Sequence, residues 1–128
     1  MILITRLTSN LLEQLFIRID RAIDYKNEFK FEHSPEIVKE QLSKYIIPLL
    51  SPTKLDSEVL LFHLNYRETG AINITLKDAL KNVDWLVDFT GYPIGRMDFV
   101  LIEPNYSFGI CVERWEYQDT FISWGLFK

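Results

Sequence analysis

Two histidines, one cysteine and 18 acidic side chains are the groups in this 128-residue sequence on which chemistry would most readily draw. A metal site needs several His, Cys or carboxylate ligands at motif spacing, and His33 and His63 each stand apart from such a set. His63 lies in the run Val59-Leu-Leu-Phe-His63 and reads as a half-buried, hydrogen-bonded strand residue. His33 precedes Ser34-Pro35 and reads as solvated. Cys111 has no histidine beside it and reads as a small strand residue rather than a nucleophile. Gly91, Gly95 and Gly109 fit neither a dinucleotide fingerprint nor a phosphate loop, and the chain contains no G-x-S-x-G and no H-E-x-x-H. Catalytic, cofactor-binding and metal-ligating residues are therefore expected to be absent.

The carboxylates leave more to weigh. Asp84 and Asp88 are four residues apart and share one face if residues 84–89 are helical, although that stretch can also be extended. Acid–base catalysis by such a pair would need burial to drive the two pKa values apart, whereas on an amphipathic helix the pair is a solvated face. The most informative segment is Phe108-Gly-Ile-Cys-Val-Glu-Arg-Trp-Glu-Tyr117. Strand alternation sets Phe108, Ile110, Val112, Arg114 and Glu116 on one side and Gly109, Cys111, Glu113, Trp115 and Tyr117 on the other. Apolar positions give way to charges next to aromatics after Val112, so the far end is expected to leave the core, with Trp124 nearby on the next strand. Exposed Trp and Tyr flanked by carboxylates are favoured anchors at protein interfaces. The expected partner-binding set is Asp84, Asp88, Asp98, Glu103, Glu113, Trp115, Glu116 and Tyr117, acidic residues around an aromatic centre. Packing of the same aromatics over the sheet is the competing structural reading.

These residues need elements to hold them. Asn10-Leu-Leu-Glu13 has the form of a capping box, and Leu12, Leu15, Phe16, Ile19, Ala22 and Ile23 follow at helical spacing. Ser34-Pro35-Glu36 opens a second helix, whose buried stripe is expected to be Val38, Leu42, Tyr45 and Ile46 and whose end is marked by Pro48 and Pro52. Phe29 and Phe31 alternate with Lys30 and Glu32, which allows a short extended piece between these helices. Glu58 to Arg67 reads as a central strand, joined by a hairpin at Glu68-Thr-Gly70 to a partner over Ala71 to Ile74. Thr75-Leu-Lys-Asp78 caps a third helix running toward Thr90. From Arg96 to Phe127 the pattern is a three-stranded meander, with turns at Pro104-Asn-Tyr-Ser107 and Gln118-Asp119. The expected fold is α+β, with about three helices on one face of an antiparallel sheet of four to six strands, in a single domain over residues 1–128.

Composition narrows the function further. Hydrophobic residues make up 48% and charged residues 25%, a globular balance. Met1 to Ser57 holds 8 basic and 8 acidic residues and Glu58 to Lys128 holds 6 and 10, so the whole net charge of −4 lies in the second part. Nucleic acid is an unsuitable partner for that surface, because phosphate binding needs concentrated Lys and Arg. The apolar runs are too short to span a bilayer, the start has no signal-peptide form, and a lone cysteine fits a reducing cytoplasm.

The acidic balance, the chain length and the meander Asp98-Phe-Val-Leu-Ile-Glu103 followed by Phe108 to Tyr117 resemble small bacterial immunity proteins of polymorphic or contact-dependent toxin systems. The resemblance covers about a third of the chain and implies a non-enzyme that binds a cognate, basic toxin domain and blocks it, without a cofactor. Two rivals remain: a small-ligand-binding or sensor domain whose aromatics line a pocket, and an enzyme using carboxylates with Arg114. Oligomeric state is left open.

Overall fold

A computed structural model describes residues 3–5, 26–95 and 97–126 of the chain. In chain order its elements are β1 (Leu3–Thr5), β2 (Lys26–Phe31), α1 (Pro35–Glu40), β3 (Glu58–Leu61), α2 (Tyr66–Thr69), β4 (Ala71–Thr75), α3 (Leu76–Lys81), α4 (Val83–Phe89), β5 (Phe99–Ile102), β6 (Gly109–Arg114) and β7 (Asp119–Trp124). The class is α+β, as the pattern predicts. Among the described residues, the seven strands join one antiparallel sheet in the order β1-β4-β3-β5-β6-β7-β2. The C-terminal meander β5-β6-β7 forms its middle, and β1 and β2 form its edges.

Alternation divides the strand residues between two cores. On one face Val59, Leu61, Phe99, Leu101, Ile110, Val112 and Phe121 pack with Val38 of α1, Leu76, Ala79 and Leu80 of α3, and Leu86 and Val87 of α4. On the other, Leu60, Val100, Ile102, Cys111, Ile122 and Trp124 cluster with Phe62, Tyr66 and Ala71. Both faces of the central strands are thus buried, which is why β5 reads as an unbroken apolar run.

Local signals explain the helix starts. The Ser34 hydroxyl accepts the Ile37 N–H at 3.3 Å, and the Thr75 hydroxyl accepts the Asp78 N–H at 3.2 Å, so each supplies an acceptor to an otherwise unpaired first-turn donor. From Glu40 the first of these helices widens into a π-helical turn, Gln41–Ile46, then tightens into a 3₁₀ turn, Ile47–Leu49, that holds Pro48. The change of pitch rotates Tyr45 off the buried stripe. Val38, Leu42 and Ile46 are buried, but Tyr45 is 51% exposed.

The helix expected beyond Thr75 is two helices. Asn82 leaves helical geometry (φ −130°, ψ 56°), and its carbonyl accepts the Leu86 N–H at 2.8 Å to start α4. This break lets Leu80 and the Leu86-Val87 pair both face the sheet. Residues 84–89 are therefore helical. The strand expected to run to Arg67 stops at Leu61, and a single helical turn, α2, replaces the tight hairpin. Buried His63 sets that connection: its Nε2–H donates to the Gly70 carbonyl at 2.7 Å while Nδ1 accepts the Asn65 N–H at 3.3 Å. Gly70 takes the positive φ of +89° that the sequence leads one to expect. The helix expected from Asn10 to Ile23 lies outside the described residues. Among those described, no helix is long and apolar enough to cross a membrane.

Candidate functional site

The β6–β7 hairpin turns over Trp115, Glu116, Tyr117 and Gln118, closed by the Trp115 N–H donating to the Gln118 carbonyl at 3.2 Å. The two rings of this turn project outward. Trp115 is 63% and Tyr117 82% exposed. Below them, on the face that carries Ile122, a groove of about 560 Å³ runs between β2 and the hairpin, lined by Glu28, Lys30, Glu113, Trp115, Glu116 and Tyr117 among others. Glu113 alternates with buried Cys111 and therefore faces this groove.

The opposite face fixes the hairpin in place. Asp119, the first residue of β7, is 1% exposed, and its Oδ2 accepts the Tyr92 hydroxyl at 2.6 Å and a hydrogen bond from His33 Nδ1 at 2.8 Å. Burial and the bond to Asp119 push the Tyr92 hydroxyl pKa far above its ordinary value. At the end of β6 the Arg114 N–H donates to Asp98 Oδ1 at 2.9 Å, and its guanidinium donates to the Gly95 carbonyl. Burial raises the Asp98 pKa, opposed by that N–H and by the Arg114 charge. Gly95 adopts φ +74°, a conformation that favours glycine, and a Cβ there would lie 2.9 Å from the Arg114 guanidinium, which would have to shift. The aromatic tip thus stands on a base pinned to the Tyr92–Gly95 turn and to the segment after β2.

The structure separates the eight predicted residues. Glu113, Trp115, Glu116 and Tyr117 meet at the groove. Asp98 lies behind it, under the Arg114 backbone. Asp84 and Asp88 project from α4 toward Lys39 of α1, whose Nζ is 2.9 Å from Asp88 and 3.7 Å from Asp84. The Asp88 hydrogen bond, reinforced by both aspartates, raises the Lys39 pKa despite some desolvation. Glu103 sits at the other end of β5, closing the β5–β6 loop by accepting the Asn105 N–H at 2.8 Å, the Ser107 N–H at 3.1 Å and the Ser107 hydroxyl at 2.5 Å. Desolvation would raise its pKa, but these bonds prevail and lower it. A single acidic ring around the aromatics does not form.

Trp124 is likewise not beside Trp115. It pairs with Gly109 at the far end of the strands, is buried, and donates its indole N–H to the Tyr106 carbonyl at 3.0 Å. Cys111 is fully buried and its thiol pKa is raised well above the ordinary value by desolvation, which disfavours a thiolate. His33 is not simply solvated, because Asp119 holds its ring. Asp119 and Tyr92 escape sequence reasoning, since Gln118-Asp119 looks like a turn. The available signal was parity: Asp119 falls in step with Phe121, an inward position. Among the described residues, no group of His, Cys, Asp and Glu could hold a metal ion.

The sequence pattern of the family described as YxiF protein matches residues 3–124. The chain belongs to the YxiF family. The YxiF match runs from the first residue of β1 to the last of β7, so it takes in the whole sheet and the hairpin tip. The uncharacterized protein YxiF of Bacillus subtilis (strain 168) is 32% identical over 71 residues, which cover 54% of this chain and 46% of that protein. The match thus spans about half the length of this YxiF relative. No solved structure matches the chain.

Proposed function

We propose that this YxiF-family chain is a non-enzymatic, cytoplasmic protein-binding domain that neutralises a basic toxin domain, as small bacterial immunity proteins do. The observation that carries the reading is the pair Trp115 and Tyr117, two large rings held in solvent on a firmly anchored turn. Leaving such rings exposed forgoes burial that the fold could otherwise use, while at an interface they provide much of the binding energy at a small loss of side-chain entropy. Glu113 and Glu116 beside them favour a cationic partner surface and faster encounter with it. Asp84, Asp88 and Glu103 lie away from this surface and are left out of it. The small-ligand reading needs the meander's aromatics to line one pocket, whereas Trp115 and Trp124 sit at opposite ends of the hairpin strands.

The test is a pulldown from the native host, followed by titration calorimetry of the purified partner against wild type and variants. Trp115→Ala and Tyr117→Ala are each expected to weaken binding by at least about tenfold while leaving folding stability within about 0.5 kcal/mol. The double change Glu113→Lys with Glu116→Lys is expected to lower the association rate and its salt dependence. Absence of any saturable protein partner, or unchanged affinity in all three variants, would refute the proposal.

A further inference from the structure

We infer that the β6–β7 turn is a rigid plug that enters a cleft of the protein partner, with a cationic group in the cleft receiving the Glu116 carboxylate and apolar walls taking the Trp115 and Tyr117 rings. The inference rests on the protein-binding reading above and specifies the shape and chemistry of the partner's site.

Arg114 to Gln118 are five consecutive exposed residues, whereas Val112 before them and Asp119 after them are buried. The chain passes from packed core to bare apex and back within a few residues, so the apex is convex. A flat partner laid against it would touch the two rings and little else. Such rings bury about 150–250 Å² each, so the pair supplies at most roughly 500 Å². A standard stable interface takes about 800 Å² from each partner. A cleft that closes round the turn also covers its flanks, Arg114 and Gln118, and so reaches the larger area.

Charge sets what the cleft must hold. Among the described residues Glu116 has no hydrogen-bond or ion-pair partner for its carboxylate, whereas the Arg114 guanidinium donates to the Gly95 carbonyl. Glu116 stands between Trp115 and Tyr117 in the turn, so covering both rings covers it as well. A carboxylate taken out of water needs a cationic partner, or its desolvation offsets what the rings contribute. The base of the plug is already fixed, by Tyr92 and His33 on Asp119 and by Asp98 on the Arg114 N–H. Insertion therefore orders little that is not ordered beforehand.

Hydroxyl-radical footprinting of the full chain, alone and with the recovered partner, reads the seating residue by residue. Oxidation of both Trp115 and Tyr117 should slow by at least about fivefold in the complex, as for rings fully desolvated in a pocket. Glu116→Gln keeps the shape and removes the charge, and should weaken partner affinity by roughly tenfold or more in titration calorimetry. Thermal melts check that this exposed substitution leaves the fold intact. Suppose instead that Trp115→Ala and Tyr117→Ala weaken binding, yet one ring stays as reactive as in the free chain or Glu116→Gln binds as wild type does. That result would overturn the plug and leave the protein-binding reading standing, whereas recovery of no saturable partner would sink both.

Discussion

Replacing Tyr92 by Phe keeps the ring's shape and removes one atom, the hydroxyl that donates to Asp119 at 2.6 Å. Tyr92 is fully buried and Asp119 is 1% exposed, so water cannot readily replace the lost donor. A hydrogen bond to a charged group contributes roughly 1.5–3 kcal/mol, and the His33 contact that remains keeps the loss from growing to that of an unpaired carboxylate. The expected destabilisation is about 2 kcal/mol. For a chain of this size that lowers Tm by roughly 5–10 °C. Urea titration should show a lower midpoint with an unchanged slope, because the surface exposed on unfolding is the same. The alkaline limb supplies an independent sign. Tyr92 ionises in the folded state well above its ordinary value of 10.0. Its contribution is therefore complete below pH 10 and is lost as pH rises toward the folded pKa, with the unfolded chain releasing the proton first. Wild-type stability should fall above pH 10 by up to about 1.4 kcal/mol per pH unit from this group, and the Tyr92→Phe variant should lack that component. The gap between the two proteins should narrow in this range. A variant with unchanged Tm, or a gap that stays constant from pH 8 to pH 11, would refute the role assigned to the Tyr92–Asp119 bond.

Other consequences follow from single contacts. Gly109→Ala would place a methyl 2.7 Å from the Trp124 ring and 2.9 Å from Ile102, so thermal melts should show a loss of about 1–3 kcal/mol, and a neutral result would mean that the strands shift freely there. Cys111 should resist thiol reagents in the native protein and react on unfolding, which a timed alkylation with mass detection would show; rapid native labelling would contradict its burial. Glu103 titrates below its ordinary value of 4.5 when folded, so its contribution is present above that pH and is lost as pH falls through the folded pKa. Glu103→Gln should accordingly flatten the acid limb of stability below pH 4.5, and an acid limb identical to wild type would remove the carboxylate from the loop's support.

Much of the architecture was legible because its causes are local. Ser34 and Thr75 announce helix starts, since their hydroxyls satisfy first-turn donors within three residues. The meander is legible through alternation and short turns, which oblige successive strands to lie side by side. Tyr45 was misplaced because a change of helical pitch leaves no mark in apolar spacing. The tight hairpin expected at Gly70 gave way to a helical turn, in a loop that His63 spans by hydrogen bonds to the Gly70 carbonyl and from the Asn65 N–H.

For the candidate site, the sequence by itself determined that β6 changes character after Val112, because period-two alternation and residue type are properties of the strand alone. It thereby marked Trp115 and Tyr117 as rings leaving the core. Only the tertiary structure decided which acids accompany them. Asp84, Asp88 and Glu103 are close to that segment in composition and pattern but not in space, since strand order and helix placement send them to other surfaces. The tertiary structure also supplied the anchor, where His33, Tyr92 and Asp119 converge from three separate parts of the chain. Their contact depends on how β2, the turn after α4 and β7 are brought together, and no spacing along the sequence encodes that meeting.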